Sequence, residues 1–207
     1  AVFPLPHTVL YPGTVLPLRV CEKPYCDLVN DALAGDSSIA VVLRKMGEAQ
    51  GGASPLHAVA GAGRIIHAEK LEGGHFNILV HGLHRVRLVE ELPRERSYRR
   101  FRSEVIPAPD RAQLAAAGGE LARLQSCVLS LRSAVAETDA QLVEVLRSTA
   151  DPLELADILA ATLVSEPEVQ QTLLAAGELR VRLSRLIDLL ADVMVRIGAP
   201  PRTAQLN

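Results

Sequence analysis

Phe3-Pro4-Leu5-Pro6-His7-Thr8-Val9-Leu10-Tyr11-Pro12-Gly13-Thr14-Val15-Leu16-Pro17-Leu18-Arg19-Val20 is the stretch on which the fold turns. Two short apolar runs flank Pro12-Gly13, and each proline removes a backbone donor and fixes its own φ. A helix is excluded here. Pro-Gly signals a turn, and prolines inside strands are tolerated at sheet edges. The stretch reads as edge strands folding back at a tight corner.

Downstream, Glu22-Lys23-Pro24 leads into Tyr25, Leu28, Val29, Ala32 and Leu33, whose spacing puts them on one helical face. Pro24 falls in the first turn and Gly35 at the position of a C-terminal cap, which predicts a short amphipathic helix. Ile39-Ala40-Val41-Val42-Leu43 is a compact apolar strand, and Met46 to Ser54, with three glycines, reads as a loop. From Leu56 to Val89 the pattern is β. A turn at Glu72-Gly73-Gly74 joins the strand of Ile65-Ile66 to Phe76-Asn77-Ile78-Leu79-Val80, which predicts a hairpin. Gly82 interrupts the run before Leu83 to Val89, where apolar and polar residues alternate. Tyr98 to Ile106 supplies one more strand.

After Pro109 the period changes from two to about 3.6. Leu114, Ala117, Leu121, Leu124, Val128 and Leu131 form one helical stripe, weakened at Gly118-Gly119, and Thr138 is placed to cap a helix carrying Leu142, Val145 and Leu146. Asp151-Pro152-Leu153-Glu154 joins a capping side chain, a first-turn proline and an early acid, a strong helix start. Ser165-Glu166-Pro167-Glu168 opens a shorter helix that ends at Gly177. A last amphipathic helix from Leu179 stops at Gly198-Ala199-Pro200-Pro201. The fold class is therefore α+β, with a β-rich subdomain at 1–107, a helical subdomain at 108–198 and a loose tail at 199–207.

Composition narrows the function. The chain has 207 residues, 22 Lys+Arg against 24 Asp+Glu, and a net charge of −2, so no general attraction to nucleic acid or anionic membrane follows. Apolar runs are broken by charge before they reach the roughly 18 residues of a membrane span, and the first residues lack a basic-then-apolar leader pattern. A cytoplasmic protein is expected. Three cysteines, Cys21, Cys26 and Cys127, without framework spacing read as reduced thiols.

The order Phe-Pro-Leu-Pro, Val-Leu-Tyr-Pro-Gly and Leu-Pro-Leu resembles the opening of the Lon protease N-terminal domain, the substrate-recognition module of that protease. Further matches follow in the family's order: Arg64-Ile65, the hairpin ending at Val80, Gly82-Leu83-His84-Arg85-Val86-Arg87-Leu88, Asp151-Pro152-Leu153-Glu154-Leu155-Ala156-Asp157 and Gln170-Gln171-Thr172-Leu173-Leu174. One departure is Val59-Ala60-Gly61, with alanine where the family carries glycine, so Gly61 or Gly63 is expected to absorb the local backbone geometry. The resemblance implies a PUA-like pseudo-barrel followed by a helical bundle. It also implies a non-catalytic module that binds unfolded or hydrophobic protein segments and works with a protease or chaperone. No Gly-x-x-x-x-Gly-Lys-Ser/Thr phosphate loop occurs in the sequence, nor a segment resembling the Ser/Lys proteolytic domain, so no enzymatic activity is expected of these residues. No cofactor is expected either.

Candidate sites are few. Cys21, Cys26 and His7 do not complete a four-ligand zinc set at a familiar spacing. His81 and His84 lie three apart in a strand, which directs them to opposite faces and disfavours a metal pair. Arg94, Arg96, Arg99, Arg100 and Arg102, interleaved with Tyr98 and Phe101, form the densest basic run. Its functional reading is an RNA contact through Arg99, Arg100 and Arg102, since PUA-like folds of other families bind RNA. Glu90, Glu91, Glu95 and Glu104 dilute the run and favour a solvated strand edge. Leu10, Tyr11 and Val15 around the Pro12-Gly13 corner have two readings, a peptide-binding surface or core residues.

Overall fold

The computed structural model describes residues 1–47, 54–135 and 140–198. The chain forms two compact units, one made of Ala1–Ala108 with Asp157–Ala176 and the other of Pro109–Ala156 with the chain from Gly177 onward. Residues 157–176, which follow much of the helical stretch in sequence, group with the β-rich unit. Residues 48–53 of the loop expected over Met46 to Ser54, the expected cap at Thr138 and the tail at 199–207 lie outside the described residues.

In the first unit, β1 (Val2–Leu5), β2 (Val15–Val20), β3 (Ser38–Leu43), β4 (Val59–Lys70), β5 (Phe76–Glu91) and β6 (Phe101–Val105) form one sheet of order β1-β3-β4-β5-β2, with β6 pairing along β5. The two apolar runs of the opening stretch are indeed edge strands, but of opposite edges. β1 runs parallel to β3 and β2 antiparallel to β5. The Pro12-Gly13 corner is a turn with Gly13 at φ 75° and a Thr14 N–H to Tyr11 carbonyl bond of 3.3 Å, the arrangement that requires glycine at its third position. The Val2 N–H donates to the Arg99 carbonyl at 3.1 Å, so the β6 end of the sheet curls round to β1.

Between β1 and β2 the chain crosses the face of β4 and β5 at backbone distance. A Cβ on Gly61 would collide with the Leu10 carbonyl oxygen, and one on Gly82 with the Tyr11 carbonyl oxygen. Gly61 thus supplies what the missing family glycine suggested, but through space rather than an unusual φ. Gly82 does not interrupt β5, which runs through it. The Gly13 N–H donates to the Gly82 carbonyl (3.0 Å) and the Gly82 N–H to the Thr14 carbonyl (2.8 Å), stitching the corner to the strand.

Helix α1 (Lys23–Ala34) has Pro24 in its first turn, as its sequence predicts. Leu28, Val29 and Ala32 pack with Leu10, Val41 and Val80 into the main core, while Leu33 is exposed. Burying each large aliphatic side chain contributes about 1.5–3 kcal/mol. The left-handed residue after the helix is Ser37 (φ 62°) rather than Gly35. A second cluster of Val2, Ala40, Val42, Ala60 and Val86 fills the opposite face of the sheet.

The other unit holds α2 (Arg111–Ala116), α3 (Gly118–Val135), α4 (Ala140–Ser148), the start of α5 (Pro152–Leu163) and α7 (Leu179–Gly198). The predicted Gly118-Gly119 weakness is a break between α2 and α3. Asp110 and Gln113 form a reciprocal capping box on α2 that the sequence reading passed over. Leu124, Val128 and Leu131 of α3 and Leu183, Leu186 and Leu190 of α7 are buried where these two helices pack. At α5 the Asp151 carboxylate accepts from the Leu153 N–H at 2.8 Å, the predicted cap. Among the described residues no helix is long and apolar enough to cross a membrane.

Helix α6 (Pro167–Ala175) belongs to the first unit and is bound to the sheet through backbone acceptors. The Tyr11 hydroxyl donates to the Gln170 carbonyl at 2.6 Å, and the Gln171 amide to the Val59 carbonyl at 2.9 Å. Arg85 donates from Nη1 to the carbonyls of Leu174 and Ala176, both at 3.1 Å. A cation on the last carbonyls of a helix also complements its dipole. The Gln170 side chain turns the other way and donates to the Val164 carbonyl at 2.8 Å, closing the end of α5.

Candidate protein-binding surfaces

The sequence singled out Leu10, Tyr11 and Val15. Leu10 and Tyr11 are each 0% exposed, so neither side chain offers a surface, and the peptide-contact reading of these two gives way to the core reading. Val15 is 50% exposed. It lies at the start of β2, opposite His81 of β5, which is itself opposite Arg64 of β4. One register step along, Pro17 opposes Leu79 and Leu79 opposes His67.

Ile66 is passed over in the β4–β5 pairing, so Ile66 and His67 together face Leu79 across a bulge. Ile66 is 55% exposed. Strand alternation sends Leu16, Leu18, Ile65, Ile78 and Val80 into the core and turns Val15, Pro17, Ile66 and Leu79 to the opposite face. The result is an apolar band across three adjacent strands, with Arg19 and Arg64 exposed at its margin. Ile66 carried no signal of its own in the sequence, because the bulge that exposes it depends on pairing with β5.

The arginine run is neutralised locally. Arg99 makes a two-point bond to Glu91 (2.8 and 2.7 Å) and lies 5.2 Å from the Phe101 ring centroid. Arg100 meets Glu95 at 2.6 Å and Arg102 meets Glu90 at 3.2 Å. The Arg99 hydrogen bonds hold the Glu91 carboxyl below its usual range. Phosphates would have to displace these carboxylates, so the structure gives the RNA reading of Arg99, Arg100 and Arg102 no support.

His81 and His84 depart from expectation. His81 pairs with Arg64, Gly82 with Gly63 and His84 with Ala62, so Leu83 is skipped and both histidines share a face. Among the described residues no group of three or more metal-ligating side chains converges. Cys21 is exposed, Cys127 half-buried, and Cys26 buried with its thiol 3.6 Å from the Val20 carbonyl. Burial pushes that thiol's pKa up, the reverse of an activated cysteine.

A concavity of about 270 Å³ lies between the end of β1, the start of α1, Arg44 and the loop that carries Arg94 to Arg99.

The chain thus joins a curled mixed sheet, with an apolar band across β2, β5 and β4, to a set of helices that follow it in sequence. The family model for the ATP-dependent protease La (LON) substrate-binding domain matches residues 1–192, and the chain belongs to that family. Lon protease 2 of Myxococcus xanthus is 30% identical over 193 residues, covering 91% of this chain and 23% of that protein. The Lon protease of Anaeromyxobacter dehalogenans is also 30% identical over 193 residues, with coverage of 91% and 22%. The chain thus spans about a quarter of the length of these relatives. The N-terminal domain of the Mycobacterium avium complex Lon protease superposes with a TM-score of 0.73 at 18% identity, covering 92% of this chain and 97% of that one. The Lon N-terminal domain protein from Xanthomonas campestris gives 0.62 at 22% identity, covering 90% and 95%.

Proposed function

We propose that this chain recognises unfolded or apolar segments of other proteins without acting on them chemically, and presents them to a protease. The observation that carries this reading is the apolar band of Val15, Pro17, Ile66 and Leu79 on the outer face of β2, β5 and β4. Exposed and half-buried apolar side chains that adjoin one another on a sheet suit docking of apolar side chains of a partner. Membership of a substrate-binding family supports the same conclusion.

Binding of a chemically unfolded, labelled protein, followed by fluorescence anisotropy across a salt series, tests it. Apolar docking predicts affinity that barely changes between low and high salt, because no counterions are released. Absence of binding, or affinity that collapses as salt rises, would count against it.

A further inference from the structure

We propose that the cleft beside α1 is a carboxylate-binding pocket, which takes one acidic group of a recognised protein segment. The inference rests on the reading above that the ligand is a protein segment. Four arginines line the cleft, Arg44, Arg94, Arg96 and Arg99, against one acidic residue, Glu22. Arg99 is engaged by Glu91 at 2.7 Å and Arg96 by Asp31 at 3.3 Å. Arg44 and Arg94 are exposed and have no ion pair among the described residues.

Two arginines without carboxylate partners among the described residues therefore line a concavity of about 270 Å³. Tyr25 forms part of its wall and is fixed by stacking on Phe3, with ring centroids 4.6 Å apart. Burial, and then Glu22, push the Tyr25 hydroxyl's pKa up, and Arg44 and Arg99 offset part of that rise. Pro4, Pro24 and Leu56 supply apolar wall. Fork-shaped guanidinium donors suit a planar carboxylate, and the proline and leucine surfaces suit the methylene stem or apolar neighbours of the residue that bears it. The carboxylate has two sources in a protein segment, an Asp or Glu side chain or the chain terminus.

Three labelled apolar peptides tested by anisotropy separate the possibilities: one with a central Glu and an amidated end, one with Gln there and an amidated end, and one with Gln and a free C-terminal carboxylate. The expected result is about 5–10-fold tighter binding of a carboxylate-bearing peptide than of the fully neutral one, as for a solvent-accessible charge-assisted hydrogen bond. Which of the two charged peptides shows the gain assigns the source. The gain should vanish in Arg44→Ala/Arg94→Ala, whose fold is checked by circular dichroism and which removes exposed side chains that make no ion pair among the described residues.

Equal binding of all three peptides by the unaltered chain, or a gain that survives in the double variant, overturns the pocket and leaves segment recognition standing. Failure of every peptide, and of an unfolded protein, to bind overturns both readings.

Discussion

The Tyr11 hydroxyl donates a 2.6 Å hydrogen bond to the main-chain carbonyl of Gln170, 159 residues further along the chain. This bond ties the proline-rich opening stretch to α6, and it explains why Tyr11 is buried. Tyr11 thereby fixes the crossover segment from which β2 departs.

Tyr11→Phe keeps the ring and deletes the hydroxyl. A loss of about 0.5–1.5 kcal/mol is expected, and Tyr11→Ala should lose about 3–5 kcal/mol because a large core side chain disappears. Urea denaturation checks both, read as a lower midpoint at unchanged slope. The Phe variant should bind peptides like the unaltered chain.

Gly82→Ala places a methyl group against the Tyr11 carbonyl, a backbone atom with no rotamer through which to move aside. A destabilisation of about 1–3 kcal/mol follows from overpacking. A thermal melt compared with Gly74→Ala tests the cause. Nothing lies near that second position, where the cost arises only from its φ of 79°.

Glu91 carries the pH dependence that is easiest to isolate. Its folded-state carboxyl is held below the ordinary value, chiefly by hydrogen bonds from Arg99. The unfolded chain therefore takes up the proton first. The contribution is present above the unfolded carboxylate value of about 4.3 and is lost as pH falls through the lower folded value. Urea midpoints at neutral and acid pH should show a smaller acid-induced drop in Glu91→Gln than in the unaltered chain.

The elements that were legible in the sequence are those whose signals are local. The turn at residues 72–74 joins β4 to β5 where the glycines placed it, and Asp151 caps α5 as its spacing from Pro152 required. What escaped depends on distant backbone. Helix α6 is held by Tyr11, Arg85 and Gln171 acting on carbonyl groups, and a carbonyl leaves no trace in residue type. The pairing of β1 with β3, rather than with β2, is likewise settled by register across the sheet. Bulges at Ile66 and Leu83 each shift alternation by one residue, which put Ile66 outward and His81 with His84 on one face. The neutralised arginine run was partly readable, since Glu90, Glu91 and Glu95 stand close by in sequence.

If the band on β2, β5 and β4 docks apolar segments, as we propose, Val15→Asp/Ile66→Asp should abolish that docking. Both side chains are at least half exposed, at 50% and 55%, so the double variant should stay folded by circular dichroism. Anisotropy of a labelled apolar peptide should then show at least about a tenfold loss of affinity, from two desolvated contacts replaced by hydrated charges. Unchanged affinity in a folded double variant would contradict the account.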